Sequence, residues 1–240
     1  MNNNQIKGLK WPKLVPGTLI KRYKRFLADV MLKNGEIVIA HCPNSGSMTS
    51  CNESGRPVYL SFNPKPERKL KYTWEIIKMP DSYVGVNTLI PNRLVKASIE
   101  NAEIQEFIHY DKVTSEVKTS DGTRIDLMLT KENGDRCYIE IKNCTLISDG
   151  ISYFPDAVTK RGLKHIIELQ SLVASGNRCF IFFLIQRMDS KGFKPADNID
   201  AAYGKELRRA IQNGVEILIY DVTIDLNAIS LNRRLPLMIE

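Results

Sequence analysis

Three charged side chains stand at a spacing that suits phosphodiester chemistry. Asp126 lies in a short strand-like run, and Glu140 and Lys142 lie two residues apart in the next one. Two carboxylates on adjacent strands can hold Mg²⁺ or Mn²⁺, because these ions prefer oxygen ligands and keep several waters. A lysine beside them can position a metal-bound water or relieve the charge of a phosphodiester under attack. Asp126, Glu140 and Lys142 are therefore candidate catalytic residues, with Asp126 and Glu140 as candidate metal ligands.

Strands joined by tight hairpins must position these three side chains. The predicted strands are Lys112–Lys118, Arg124–Thr130 and Arg136–Asn143. The segments between them contain Asp-Gly and Asn-Gly, which are strong hairpin signals and place Asp126 beside the third strand. Side chains alternate along a strand, so Glu140 and Lys142 share one face while Ile139 and Ile141 share the other. A charged, solvent-facing sheet surface is the alternative explanation.

Helices flank this hairpin in an order that predicts an α/β domain with a mixed central sheet. The predicted elements are a helix over residues 93–107 capped by Asn92, a helix beginning near Asp156 and ending before Ser175, strand Arg178–Gln186, helix Tyr203–Asn213 and strand Val215–Val222. This order, with Asp on the second strand and Glu-x-Lys on the third, resembles the core of the PD-(D/E)xK nucleases, in which these residues form the active site. The proline of that motif is absent before Asp126, which makes the match less specific.

The second of these helices carries four polar side chains at spacings of three and four. Arg161, Lys164, His165 and Glu168 share one helix face, which could approach a phosphate backbone or the two carboxylates. Arg161 and Lys164 are therefore candidate nucleic-acid contacts. A solvated charged face is the alternative.

The first part of the chain has a different pattern of short strands and turns. The strand-like runs are Thr18–Leu32, Glu36–His41, Pro57–Phe62, Lys71–Lys78 and Tyr83–Asn87. They predict a small β-barrel of the OB or SH3-like kind. The first run is long enough to bend, with a bulge or strong coiling of the strand expected near residues 22–25. The predicted fold class is thus α+β, with an OB-like N-terminal barrel over residues 1–88 and a nuclease-like α/β domain over residues 89–240.

Positive charge is concentrated in the predicted barrel. The chain has 34 Lys and Arg against 27 Asp and Glu, a net +7, while residues 1–90 alone have 14 basic and 6 acidic residues, a net +8. The basic residues form two groups: Lys21, Arg22, Lys24 and Arg25 around Tyr23 and Phe26, and Lys65, Arg68, Lys69 and Lys71 before Tyr72 and Trp74. Basic groups beside exposed aromatic rings hold nucleic acid on OB surfaces. A lysine-rich edge that prevents strand pairing is the alternative.

Other features define the expected partners and compartment. The loop Pro43–Ser47 could hold a phosphate, although a plain turn also explains it. No apolar run reaches the length of a membrane span, so no membrane partner is expected. Five cysteines without a C-x-x-C pair favour reduced thiols and a cytoplasmic protein. DNA is the expected partner and RNA the alternative, and an exposed sheet edge would allow a homodimer.

Five sequence strings together resemble one known family. They are His41–Met48, Lys69–Glu75, Val84–Thr88, Glu140–Leu146 and Phe154–Gly162. In this order, from about Leu14 to Pro236, the chain resembles the bacterial and archaeal sugar fermentation stimulation protein A family. The resemblance implies an OB-like domain joined to a nuclease-like domain, DNA binding, and a proposed regulatory role in sugar (maltose) utilisation.

One position departs from the family pattern. Members tend to carry a glutamate in the helix after Pro-Asn, where this chain has Ala97. If that glutamate assists metal binding, its absence puts catalytic competence in question, and Glu100 or Glu116 would have to substitute. Two functions therefore stay open: a Mg²⁺-dependent or Mn²⁺-dependent phosphodiesterase, and a non-catalytic DNA-binding transcriptional regulator whose nuclease fold is a relic. A small-molecule or RNA-processing module is a third alternative.

Overall fold

The computed structural model describes residues 8–119 and 122–239. The first strands are β1 (Leu9–Lys10), β2 (Leu14–Tyr23), β3 (Leu27–Leu32), β4 (Ile37–His41), β5 (Pro57–Phe62), β6 (Tyr72–Lys78) and β7 (Tyr83–Gly85). Helix α1 (Ile90–Glu100) and a short 3₁₀ helix (Gln105–Phe107) follow. The remaining elements are β8 (Lys112–Lys118), β9 (Arg124–Thr130), β10 (Arg136–Cys144), β11 (Leu146–Ser148), β12 (Ile151–Phe154), α2 (Lys160–Ala174), β13 (Arg178–Ile185), β14 (Gly192–Pro195), α3 (Ala201–Gln212), β15 (Glu216–Ile224) and β16 (Ala228–Arg234).

Strands β2 to β6 form a closed five-stranded barrel. Their order is β4-β3-β2-β5-β6, and a parallel pairing of Ala40 with Tyr72 joins β4 to β6 and closes the barrel. The alternating apolar side chains of these strands fill its interior, including Leu19, Val30 and Trp74. The prediction of an OB-like barrel is confirmed.

The first predicted run is a hairpin rather than one bent strand. Lys24 and Arg25 adopt left-handed backbone conformations with φ of 47° and 62°, and the chain reverses there between β2 and β3. The register shift lies earlier, between Leu19 and Lys21. The prediction of one strand with a bulge or strong coiling near residues 22–25 was therefore wrong, because the chain reverses there. A turn built from basic residues lacks the Asn-Gly or Asp-Gly signal that marks most tight hairpins, so the sequence pattern missed it.

The second unit is a seven-stranded mixed sheet with helices on both faces. Its order is β1-β16-β15-β13-β10-β9-β8, and β13 runs parallel to both β10 and β15. Helix α1 packs on one face through Leu94 and Val95. Helices α2 and α3 pack on the other face through Leu169 and Leu207. The predicted α+β class, with a barrel followed by an α/β domain around a mixed sheet, is confirmed.

Two helix starts differ from the prediction. Helix α1 begins at Ile90, with Pro91 in its first turn, so Asn92 lies inside the helix and does not cap it. Helix α2 begins at Lys160, because the side chain of Thr159 caps the backbone N–H of Gly162 at 3.0 Å. The predicted turn at residues 119–122 includes positions 120 and 121, which lie outside the described residues.

Several short strands were not predicted. Strands β11, β12 and β14 form a small separate sheet, and β16 extends the large one. Leu9 of β1 pairs with Ile229 of β16, so the N-terminal segment joins the large sheet, while the division at residues 88 and 89 stays a prediction. Among the described residues, no helix is long and apolar enough to cross a membrane.

Candidate active site

Asp126 lies where strands β9 and β10 separate. The two strands pair as far as Ile139 and Leu127, and the ladder ends there. Beyond it, the Asp126 carboxylate accepts a hydrogen bond from the backbone N–H of Ile141 at 2.7 Å. Its other oxygen accepts from the side-chain amide of Asn92 in α1 at 2.8 Å. The carboxylate thus replaces a missing strand partner and links the sheet to the helix.

The surroundings of Asp126 favour its protonated form. Burial raises the pKa of Asp126 to about 6, and the nearby negative charge of Glu140 adds to the shift. The hydrogen bond from Ile141 and the positive charge of Lys142 oppose it in part. A cation placed beside Asp126 would favour the ionised form, as Lys142 does.

Glu140 and Lys142 are buried together on the α2 face of the sheet. The Lys142 ammonium donates to Oε1 of Glu140 at 2.7 Å, and Ile139 and Ile141 pack in the core on the opposite face. Burial acts to raise the pKa of Glu140, but Lys142 and His165 outweigh it and hold the pKa below its usual value. Glu140 is therefore an anion at neutral pH.

The two carboxylate oxygens of Glu140 differ in their hydrogen bonds. Oε1 accepts from Lys142 and contacts Nδ1 of His165, whereas Oε2 is buried and has no hydrogen-bond partner among the described residues. An unpaired carboxylate oxygen in a buried site is costly, because it has lost its hydration. A buried oxygen of this kind beside a second carboxylate suits the binding of a cation.

His165 lies on the helix face that was predicted to approach a phosphate backbone or the two carboxylates, and it contacts Glu140. Arg161 Nε donates to Nε2 of His165 at 3.4 Å, so the tautomer that satisfies both contacts carries its proton on Nδ1 and donates it to Glu140. His165 and Glu168 are buried, whereas Arg161 and Lys164 are exposed. The solvated-face alternative is thus wrong for the two buried residues. The spacing of four between Arg161 and His165 was the available signal.

The donor set fits a hard divalent cation. The free oxygen of Glu140 and the remaining lone pairs of Asp126 are oxygen ligands of the kind that Mg²⁺ and Mn²⁺ prefer. No group of three His, Cys, Asp or Glu side chains suited to a metal occurs in the described residues. Two carboxylates leave the remaining coordination positions to water or to a substrate phosphate.

The two proposed substitutes for the missing glutamate lie outside this arrangement. Ala97 is half-buried in α1. Glu100, one turn later, is exposed and its carboxylate lies 3.8 Å from the Lys96 ammonium. Glu116 is exposed in β8, with a left-handed backbone at φ of 55°. Within the described part of the chain, neither glutamate joins Asp126 and Glu140 in a group of three side chains suited to a metal.

The first basic group has two kinds of members. The Arg22 guanidinium donates to four backbone carbonyls, those of Arg25, Asn44, Gly46 and Ser47, at 2.8 to 3.1 Å. It therefore fixes the loop at residues 44–47 against the hairpin. Lys24 and Arg25 are exposed, and Lys21 lies 3.7 Å from Asp29. The aromatic side chain of Phe26 is 46% exposed at the same hairpin.

The second basic group lies on the barrel surface without its predicted tryptophan. Lys65, Lys69 and Lys71 are exposed, and Arg68 donates to the Thr73 hydroxyl at 3.1 Å. The expectation that Trp74 is an exposed aromatic partner was wrong, because its ring lies in the barrel core, where it is fully buried. The exposed aromatic surface comes instead from Phe62, which packs on Tyr72 with ring centroids 5.1 Å apart.

Two hollows flank the acidic pair. A cleft of about 500 Å³ separates the barrel from the second unit, with Lys142, Arg25 and Asp156 among its lining residues. Gly46 allows the close approach of the two units, because a Cβ there would lie 2.2 Å from an Asp156 oxygen. A smaller hollow of about 240 Å³ is lined by Arg161, Lys164 and His165, together with residues of β9 and the loop before it.

Comparison with known proteins identifies the family. A family model described as the SfsA N-terminal OB domain matches residues 20–86, and one described as the sugar fermentation stimulation protein RE domain matches residues 89–228. The sugar fermentation stimulation protein homolog of Geotalea daltonii is 49% identical over 95% of this chain and 98% of its own. The chain belongs to the sugar fermentation stimulation protein family. The homolog of Geotalea uraniireducens is 50% identical over 92% of this chain and 96% of its own.

A solved structure of the family shares the whole fold. SfsA of Pyrococcus furiosus, solved in complex with Ca²⁺, superposes with a TM-score of 0.88 at 24% sequence identity, over 98% of this chain and 100% of the other. The barrel and the mixed-sheet domain are therefore the fold of this family, and the resemblance to the family is confirmed.

Proposed function

We propose that this protein is a metal-dependent phosphodiesterase that acts on DNA, with Asp126 and Glu140 as ligands of Mg²⁺ or Mn²⁺ and Lys142 as a catalytic residue. The observation that carries the proposal is the unpartnered Oε2 of Glu140, buried beside a second carboxylate and a lysine. The Ca²⁺ complex of the Pyrococcus furiosus relative supports a hard cation in this fold.

The side chains of the site would have different roles in catalysis. A bound divalent cation would supply charge neutralisation at the phosphate and activation of water. Lys142 is held 2.7 Å from Glu140 and lines the cleft, so its ammonium can stabilise negative charge on a phosphate that enters there. His165 fixes the orientation of Glu140, and Asn92 fixes that of Asp126. These are positioning roles, because each side chain acts through a carboxylate.

Cleavage assays with isosteric variants test this proposal. We expect degradation of labelled DNA only with added Mg²⁺ or Mn²⁺, and a loss of about 100-fold or more in Asp126→Asn and Glu140→Gln. Glu100→Gln, an exposed acidic residue of α1, is the matched control. RNA and both strand forms of DNA serve as substrates. Activity that survives in both site variants would place the chemistry elsewhere.

Binding of DNA is proposed on the charge distribution. Lys21, Lys24, Arg25, Lys65, Lys69 and Lys71 give the barrel exposed cations, and Arg161 and Lys164 extend them to the second unit. Such surfaces bind polyanions with a steep dependence on salt. RNA, which offers the same phosphates, is the alternative partner.

A non-catalytic DNA-binding regulator is the second candidate function. The observation that favours it is Ala97, together with the absence from the described residues of a group of three side chains suited to a metal. In this version the nuclease-like unit only binds DNA, and the family role in sugar (maltose) utilisation follows from regulation. Salt-sensitive binding by a protein that is inert over all metals and substrates would support it.

The state of the cysteines supports the proposal of a cytoplasmic location. All five are free and buried, which suits the reducing conditions of the cytoplasm.

Strand β8 forms one edge of the large sheet, and pairing of two such edges would give a homodimer. Sedimentation of the purified protein measures that state directly.

A further inference from the structure

The cleft between the barrel and the second unit opens onto the candidate active site. Lys142, whose ammonium is bonded to Glu140, is one of its lining residues. The barrel contributes the hairpin tip and the loop at residues 44–47, and the second unit contributes residues 154–159. A group bound in the cleft would therefore lie next to the phosphate on which Lys142 acts.

Arg25 supplies a free cation to this cleft. Its neighbour Arg22 uses its guanidinium to hold the loop carbonyls, whereas the Arg25 side chain forms no hydrogen bond or ion pair with any described residue and is exposed. Asp156 also lines the cleft, and its carboxylate accepts from the backbone N–H of Met48 at 3.2 Å. The Asp156 carboxylate would repel a phosphate, whereas the positive charges of Arg25 and Lys142 would attract one. A phosphate in the cleft would therefore lie near these two cations and away from Asp156.

The rest of the lining suits a sugar and a base. Phe154, Ala157 and Val158 give one apolar wall, and the Val158 side chain is 70% exposed. Ser45 and Ser47 give hydroxyl groups on the barrel side. Sites that hold small organic ligands combine an apolar lining with a few polar groups and span roughly 300–1,000 Å³. The cleft, at about 500 Å³, is of the size that holds one such ligand.

We infer that this cleft is a subsite for one nucleotide of a single polynucleotide strand, adjacent to the phosphate at Lys142. The inference deepens the proposed function and rests on it, since it defines the strand form that the site accepts. A duplex would have to enter the cleft with a paired base and a second backbone, whereas a volume of about 500 Å³ is that of a site for one small ligand. Unpaired strands, or the unpaired part of a partly paired DNA, are therefore the preferred substrate.

Binding experiments without metal separate this subsite from catalysis. Fluorescence anisotropy in EDTA would compare a labelled, non-self-complementary DNA strand with the corresponding duplex. Ala157→Trp fills the cleft, and Ala174→Trp, at an exposed position near the far end of α2, is the matched control. We expect Ala157→Trp to weaken single-strand binding by about tenfold, with less than about a twofold change for the duplex or in the control.

A second pair of variants tests the cation. Arg25→Gln removes the charge that lines the cleft, and Lys24→Gln removes the adjacent charge of the same hairpin, which does not line it. We expect Arg25→Gln to weaken single-strand binding by about tenfold and Lys24→Gln by about threefold, which is the general effect of one surface charge.

The outcomes distinguish the subsite from the nuclease proposal. Equal losses in both members of either pair, or equal affinity of the wild-type protein for strand and duplex, would overturn the subsite even if cleavage depends on Asp126 and Glu140. Selective losses in the absence of any cleavage would support the subsite and favour the non-catalytic regulator. A single RNA strand, tested in parallel, shows whether the sugar affects binding.

Discussion

His165 and Glu140 share a buried hydrogen bond that joins helix α2 to the central sheet. The contact involves the same carboxylate oxygen to which Lys142 donates, so the other oxygen has no hydrogen-bond partner in the part of the chain that the structure describes. Two donors on one oxygen therefore determine which lone pairs of Glu140 are available to a cation.

This relationship predicts different effects for two substitutions of His165. His165→Leu removes the donor, while His165→Asn places an amide N–H close to the position of Nδ1. We expect His165→Leu to lower Mg²⁺ or Ca²⁺ affinity by about tenfold, because Glu140 loses one of its two orienting donors, and His165→Asn to restore most of it. Titration calorimetry measures the affinity independently of cleavage. Equal affinities in the two variants would assign His165 a purely structural role.

The raised pKa of Asp126 predicts that the metal-free protein loses stability as pH rises. Burial holds this pKa at about 6, so the folded protein keeps a proton that an unfolded aspartate, with a pKa of about 3.9, releases earlier. The free energy of unfolding should fall by about 2 kcal/mol between about pH 4 and pH 7. Asp126→Asn should lack this component. Denaturant unfolding of both proteins across this window gives the difference, and parallel curves would contradict the prediction.

The close contact of Gly46 with Asp156 predicts that a destabilising substitution of Gly46 is compensated by a substitution of Asp156. Gly46→Ala places a methyl group against the Asp156 carboxylate, which must shift, and we expect a loss of about 1–3 kcal/mol of stability. Asp156→Ala removes the obstacle, so the double variant should cost less than the sum of the single ones. Thermal unfolding of the four proteins completes the cycle. Additive losses would show that the loop avoids Asp156 by another movement.

Arg22 and Lys69 should respond differently to loss of charge. Arg22 donates to loop carbonyls, so Arg22→Gln should destabilise the barrel by about 1–3 kcal/mol and weaken DNA binding as a consequence. Lys69 is exposed, so Lys69→Gln should leave the melting temperature unchanged. If Lys69 contacts a phosphate, Lys69→Gln reduces the steepness of the plot of log binding constant against log salt concentration by about 0.7 for a single strand. Equal melting temperatures of the two variants would contradict the assigned role of Arg22.

The strands of the site could be predicted from sequence more closely than its helices. Alternation and turn residues define β8 and β9 at the predicted bounds, and they bring Glu140 beside Lys142. Asn92 and His165 depend on how α1 and α2 pack on opposite faces of the sheet, which no local pattern specifies. Similarly, the sequence identifies Arg22 as a cation, but only the folded loop shows that its guanidinium donates to backbone carbonyls.

The pairing of β1 with β16 affects how the protein folds during its synthesis. Leu9 pairs with Ile229, so β1 cannot take its place in the large sheet until β16, about 220 residues later in the chain, has been synthesised. The barrel lies between β1 and the rest of that sheet in sequence. It is therefore an insertion into the larger unit, and its own closure shortens the loop that joins the two distant strands.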